Sequence, residues 1–140
     1  MYARIELAQT DYKLYSQAEI AKQPDQALLQ HIYVRYCRYK QFASVMPMFA
    51  GEYTDPSNDV ILYHHDGSVV AWSLLRRYDA VNVEAIQFAW DYEDPSLRLG
   101  IRSLEHECAH YKSLGFSYLY LGDADEYKSK IQGFELLGPA

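Results

Sequence analysis

The densest chemistry in this chain is the run His106-Glu107-Cys108-Ala109-His110. On a helix, histidines at i and i+4 share one face and can bind zinc, while the glutamate beside the first can activate a zinc-bound water. At about 100° per residue, however, Ile101, Leu104, Cys108 and Tyr111 form the apolar stripe, and both histidines fall almost opposite it. The spacing therefore predicts solvent-facing histidines that hold at most adventitious zinc, and no catalytic metal is expected. A second signal opens the same helix. At Arg98-Leu99-Gly100-Ile101-Arg102 the first backbone N–H groups are unpaired and the positive end of the helix dipole emerges, which suits a phosphate as well as it suits an ordinary helix start. Fourteen tyrosines are present. Tyr33, Tyr36, Tyr39, Tyr111, Tyr118 and Tyr120 offer stacking surfaces for unpaired bases, or more simply core edges and a surface for a homodimer. Arg35, Arg38 and Lys40 form a small basic cluster that can touch phosphate or serve as the wet face of a helix.

The elements that must position these residues follow from periodicity. Tyr2 to Leu7 alternates polar and apolar residues and reads as a strand, after which a polar stretch runs to Pro24. Asp25 is a plausible N-cap for a helix through Leu28, Leu29, Ile32, Tyr33, Tyr36 and Cys37 to about Phe42, with Pro47 beyond its end. Val60–His64 and Ser68–Leu75 form a hairpin around His65-Asp66-Gly67, and Val81–Trp90 adds a third strand to the meander. The helix opened by Gly100 runs from Ile101 to Leu114 and closes at Gly115; Phe116–Leu121 suits a central strand and Phe134–Leu137 an edge strand. No repeat or linker interrupts this order, so a single domain over residues 1–140 is expected.

Composition narrows the class. A chain of 140 residues, 49% hydrophobic and 23% charged, suits one globular core. Its formal net charge of -6 argues against broad non-specific binding to nucleic acid, so any RNA contact must be local. Cys37 and Cys108 lie far apart with no CxxC pattern, which reads as reduced thiols in a cytoplasmic protein. The start lacks a signal-peptide apolar region, and no stretch approaches the roughly 18 apolar residues of a membrane span, so no membrane partner is expected.

The Leu99-Gly100 pair, the run from Leu114 through Tyr118-Leu119-Tyr120-Leu121-Gly122, and the closing Tyr127-Lys128 to Glu135-Leu136-Leu137 together resemble, in spacing and lettering, the C-terminal domain of arginyl- and leucyl-tRNA-protein transferases. Ile32-Tyr33-Val34-Arg35-Tyr36-Cys37-Arg38 is similar to the L-Y-x-R-Y-Q motif of that family's first helix. Glu84-Ala85-Ile86-Gln87-Phe88 falls where the family carries S-A-V-Y-x-F. The likeness covers Leu29 to Leu137. It lacks the family's N-terminal cysteine-containing domain, and only Asp123-Ala124-Asp125-Glu126 stands where the family has a longer segment.

That family belongs to the GNAT acyltransferase superfamily. The resemblance thus implies an α/β GNAT fold: a mixed central sheet with an antiparallel meander, a long helix after Gly100, and two central strands splayed to admit an acyl donor. It implies transfer from aminoacyl-tRNA, bound by its acceptor end, to an amine such as a protein N-terminus. Acetyl-CoA is the alternative donor, and a non-catalytic binding module is a third reading. Acetyl-CoA enzymes of the superfamily usually carry a small residue where Arg102 stands, so Arg102 is expected to crowd a pyrophosphate. By the same resemblance Glu84 is the candidate base and Tyr127 a candidate acid. Trp90, Arg98, Leu99, Gly100, Ile101, Arg102 and Lys128 are candidates for holding the donor, and Tyr33, Tyr36, Asp123, Asp125 and Glu126 for recognising the acyl group or acceptor.

Overall fold

The computed structural model describes residues 2–42, 47–48, 50–123 and 126–138. The alternating stretch after Ser57 folds as the expected hairpin. Strands β3 (Asn58–His65) and β4 (Ser68–Arg77) turn through Asp66 and Gly67 at φ of 50° and 78°. Two successive positive φ values give the tight turn whose twist matches paired strands. Strand β5 (Asn82–Trp90) completes the antiparallel meander. With β1 (Tyr2–Glu6), β2 (Ala18–Ile20), β6 (Tyr118–Asp123) and β7 (Phe134–Gly138), the sheet has the order β2-β3-β4-β5-β6-β1-β7. Strand β6 is central and β7 lies at an edge, as their composition predicts.

Helix α1 (Gln26–Lys40) starts where Asp25 accepts hydrogen bonds from the N–H groups of Ala27 and Leu28, and it ends at Lys40, capped by Gln41, two residues short of the sequence expectation near Phe42. It buries Leu29, Ile32 and Tyr33 against Trp72, Leu74 and Ala89 on one face of the sheet. The indole N–H of Trp72 donates to the Leu29 carbonyl at 3.0 Å, fixing α1 to β4. Helix α2 (Leu99–Ser113) covers the other face with Leu104, Cys108 and Tyr111. It begins at Leu99 after Arg98, which stands at φ 51°, so Gly100 lies inside the first turn rather than before the helix. No helix among the described residues is long and apolar enough to cross a membrane.

The feature that matters most is where β5 and β6 part. Their parallel pairing spans Asn82–Tyr118, Val83–Leu119 and Glu84–Tyr120 and goes no further, although β5 continues to Trp90. A bulge explains the divergence. Between β4 and β5, Leu75 pairs with Ala85 and Leu74 with Gln87, leaving Ile86 as the extra residue just past the last β5–β6 pair. An extra residue bends its strand, so β5 swings away from β6 at this point.

Two expectations need correction. Strand β2, pairing with the β3 edge, lies in the polar stretch that carried no strand signal. It is three residues long and half exposed, and so displays no buried alternation. The histidines of α2 do not stand free in solvent: His106 is 7% exposed, His110 is half-buried, and Glu107 between them is 4% exposed. Strands β1 and β2 are separated in the sheet by β3, β4, β5 and β6, so the chain between them must cross the outer side of α2. On the way the Tyr15 N–H donates to Nδ1 of His106 at 2.9 Å, and Lys112 donates to the Thr10 carbonyl. The sheet also reaches past the apolar stripe, with the Tyr63 ring of β3 edge-on to His106 at 5.8 Å, and helical periodicity reveals neither this wider contact nor the crossing chain.

Candidate functional site

At the C-terminal end of β5, where the strands have parted, β5, the C-terminal end of α1 and the start of α2 enclose a cleft of about 500 Å³. One wall is aromatic: Tyr36, Phe42, Trp90 and Tyr92. The opposite wall runs through Asp94 and Pro95 to Arg98, Leu99, Gly100 and Ile101, and Lys40 closes the rim. The sequence-predicted donor residues Trp90, Arg98, Leu99, Gly100 and Ile101 therefore converge, joined by Tyr36.

Local geometry explains the polar wall. Asp94 caps a short 3-10 helix, Pro95–Leu97, accepting from the Ser96 N–H and hydroxyl at 3.1 and 2.5 Å, and these bonds hold its carboxyl below the usual range. Arg98 then reverses the backbone in the left-handed region so that α2 starts at the cleft, and the N–H groups of Leu99 and Gly100 lie in its first turn, without intrahelical partners. Lys40 and Arg98 bring two cations, whereas the lining carboxylate of Asp94 is engaged by Ser96. The balance favours an anion.

The remaining candidates fall elsewhere. Arg102 does not line the cleft; its guanidinium lies 6.0 Å from the Tyr15 ring, so it does not crowd the turn as the sequence suggested. Tyr33 is buried in the core against Trp72 at 6.1 Å. Lys128, in the 3-10 helix Glu126–Lys130, is half-buried, and its charge acts on Glu107. Asp123 ends β6, Glu126 and Tyr127 begin that 3-10 helix, and Asp125 lies outside the described residues. Of the basic cluster, Arg35 is tied to Asp91 and Glu93 at 3.2 and 3.1 Å, Arg38 is exposed away from the cleft lining, and Lys40 stands at the cleft.

Glu84 sits in the last β5–β6 pair, half-buried, and its carboxylate accepts from the Tyr78 hydroxyl at 2.6 Å. That bond, more than burial, pushes the Tyr78 phenol up to about 12. Gln87, absent from the sequence candidates, stands three residues on and is 8% exposed. Its Oε1 accepts from the Tyr53 hydroxyl at 2.6 Å, while its buried Nε2 has no partner among the described residues. An amide within an apolar strand carries no sequence signal of this kind.

The HExxH run has become structural. Burial, and secondarily His110, push the His106 imidazole down to about 4, so it is neutral and accepts at Nδ1. Glu107 turns inward to Ser73, and burial raises its carboxyl to about 7 against the opposing pull of Ser73 and Lys128. Among the described residues no group of three His, Cys, Asp or Glu side chains is placed to hold a metal ion.

No family model and no curated protein sequence matches the chain. Solved structures do match in shape. The C-terminal domain of a lysylphosphatidylglycerol synthetase from Agrobacterium fabrum superposes with a TM-score of 0.67 at 15% identity over 88% of this chain and 46% of that one. The N-myristoyltransferase of Saccharomyces cerevisiae with bound myristoyl-CoA gives 0.66 at 10% identity over 95% and 45%. A GNAT-family acetyltransferase from Novosphingobium aromaticivorans gives 0.64 at 17% over 96% and 58%. The chain thus has the mixed α/β fold of GNAT acyltransferases and spans about half the length of these structures.

Proposed function

We propose that this chain transfers an acyl group from a coenzyme A thioester to an amine. The observation that carries the reading is the parting of β5 from β6 at Glu84, with the anion-favouring cleft at the far end of the same strand. Six residues separate Glu84 from Trp90, roughly 20 Å of extended strand. A donor with its phosphates at the start of α2 and its acyl group beside Glu84 must bridge that length, as the pantetheine arm of coenzyme A does. Free backbone groups of β5 beyond Glu84 lie along the way.

The chemistry needs little machinery. An amine with a reference pKa near 8 attacks the thioester carbonyl, the C–N bond forms, the C–S bond breaks, and the thiolate leaves. Glu84 accepts the proton released by the amine. The myristoyl-CoA in one matching structure supports this donor class, and the position of Arg102 away from the turn removes the steric objection to a pyrophosphate.

Aminoacyl-tRNA is the second reading. It is favoured by the lettering around Tyr118–Gly122 and Tyr127-Lys128, and the shape match to a lysylphosphatidylglycerol synthetase domain supports an aminoacyl group as the one transferred. On that reading the sequence segment holding Asp123, Asp125 and Glu126 has the charge to suit a cationic aminoacyl group. Titrating the protein with acetyl-CoA and with charged tRNA side by side tests both. Saturable acetyl-CoA binding, with Glu84→Gln lowering turnover of a model amine about 100-fold at unchanged KM, is expected. Binding of charged tRNA alone replaces the first reading with the second, and binding of neither refutes a donor cleft.

A further inference from the structure

A polar row crosses the sheet on the face that α1 covers only further along, at Val60 and Leu74. Asn58 pairs with Arg76, Arg76 with Glu84, Glu84 with Tyr120, Tyr120 with Arg4, and Arg4 with Glu135. Direct cross-strand partners share a face, so these side chains stand in line. Most of the charge in and beside the row is answered in place. Arg4 donates to Glu135 at 2.7 Å, and Asn58 donates to the Glu52 carboxylate at 2.9 Å. Just off the row, Arg77 donates to Asp59 at 3.1 Å, and Asp79 accepts from the N–H groups of Val81 and Asn82 at 2.8 Å. Arg76 is the exception. It is half-buried, and among the described residues its guanidinium makes no ion pair and no hydrogen bond.

Opposite charges placed directly across two strands ordinarily pair. Arg76 and Glu84 do not, because Tyr78 takes both. Its hydroxyl donates to the Glu84 carboxylate at 2.6 Å, and the Arg76 guanidinium lies 5.7 Å from the centre of its ring. The Tyr78 N–H is itself fixed on the Asn82 carbonyl at 3.0 Å, in the turn from β4 to β5. A cation and an anion are thus held side by side and unpaired. A simple amine would answer Glu84 alone, and a simple anion Arg76 alone. A ligand carrying both signs answers the two together. Cross-strand partners have Cβ atoms only about 5 Å apart, so the ligand's charges must be close neighbours. The planar guanidinium fork takes a carboxylate through two parallel hydrogen bonds.

We propose that Arg76 binds the carboxylate of the acceptor while the acceptor's amine meets Glu84, so that the molecule acylated is a free α-amino acid. The inference rests on Glu84 as the base of the transfer and names the acceptor for it. On the other side of Glu84 from Arg76 lie the rings of Tyr120 and Tyr2, 6.2 Å apart. The Arg4–Glu135 pair beyond them is closed on itself. That side presents rings rather than free charge, which suits an apolar or aromatic side chain. The N-terminus of a polypeptide carries no carboxylate beside its amine and would leave Arg76 unanswered.

The test compares L-phenylalanine with L-phenylalaninamide, which keeps the amine and the ring, lacks the carboxylate charge, and stands in for a peptide N-terminus. Binding to the full chain is read by isothermal titration without donor, and transfer is read with acetyl-CoA. Phenylalanine is expected to bind about thirtyfold more tightly than the amide and to hold the same advantage in kcat/KM, expressed through KM. Arg76→Gln is expected to bring that ratio to about one, and Arg76→Lys, which keeps the charge without the fork, to leave it at about five. Should the glutamine variant fail to fold, the lysine variant carries the comparison. Equal binding of acid and amide by the wild type overturns the proposal, as does a preference for the acid that survives in Arg76→Gln. Transfer to the amide as readily as to the acid also overturns it while leaving the coenzyme A reading intact. The expected binding ratio with no acylation from acetyl-CoA upholds the amino-acid site and refutes the coenzyme A reading instead.

Discussion

Replacing Glu107 by glutamine isolates the most costly ionisable group in the core. The carboxyl has an ordinary value of 4.5 and is raised by burial to about 7. The folded chain therefore holds this proton more tightly than the unfolded chain does. The stability it contributes is fully present below pH 4.5 and is lost as pH rises through about 7. A shift of this size corresponds to about 3 kcal/mol at 1.36 kcal/mol per pH unit, or roughly 10 °C of melting temperature for a domain of this length.

His106 complicates a simple pH scan. Its pKa is pushed down from 6.5 to about 4, so its contribution is lost as pH falls through that range, opposite in sign to that of Glu107. The two slopes offset each other in the wild type, and only the difference between variants separates them. Urea denaturation of wild type and Glu107→Gln from pH 4.5 to 8 is the assay. Near pH 4.5 the two should match to within the cost of the amide. By pH 7.5 the variant should be the more stable by about 3 kcal/mol, since glutamine keeps the bond to Ser73 and has no charge to bury. A difference that stays constant over this range would show that Glu107 ionises without penalty and is not enclosed as described.

Two further perturbations address the sheet and the cleft. Gly133 has φ 75°, and a Cβ there would collide with the Glu6 carbonyl, whereas Gly122 at φ 67° has open space. Gly133→Ala should cost about 3 kcal/mol by urea midpoint and Gly122→Ala about 1 kcal/mol; equal costs would contradict the close approach of β1. Arg98 occupies a left-handed position at φ 51°, so Arg98→Gly should hold or raise stability by up to about 1 kcal/mol while weakening pyrophosphate binding about tenfold in low salt. Unchanged pyrophosphate affinity would remove Arg98 from the site.

Much of this fold is written in local sequence, because helix caps, the Asp66-Gly67 turn and alternating strands act over a few residues. Asp25, the β3–β4 hairpin and the β6 run behave as their chemistry dictates. What escaped depends on distant neighbours. The bulge at Ile86 exists only relative to β4, and β2 is a strand only because β3 offers an edge. The donor residues at the start of α2 were legible as a glycine-containing helix start after a loop. The aromatic wall was legible only in part: Tyr36 and Trp90 were candidates, whereas Phe42 read as a helix end and Tyr92 carried no signal at all. Arg102 was misplaced because spacing fixes its position in the turn but not the direction of a long flexible side chain, which here reaches Tyr15.

The burial of the HExxH run and the openness of the cleft have a common origin in the placement of β1. Because β1 inserts between β6 and β7 while β2 joins the opposite edge, the connecting chain has to strap α2 from outside. It does so through Tyr15 on His106 and Thr10 on Lys112, while from the sheet side the Tyr111 hydroxyl donates to Asp59 at 2.7 Å. A helix held from both sides cannot slide toward the gap left by β5 and β6 without breaking these part-buried polar contacts. The gap therefore stays open at the start of α2, and the Leu99 and Gly100 N–H groups keep their orientation before any ligand arrives. Such preorganisation lowers the ordering cost of binding an anion there. It also gives the neutral His106 a purpose that zinc coordination would have forbidden, since its Nδ1 is committed to the strap.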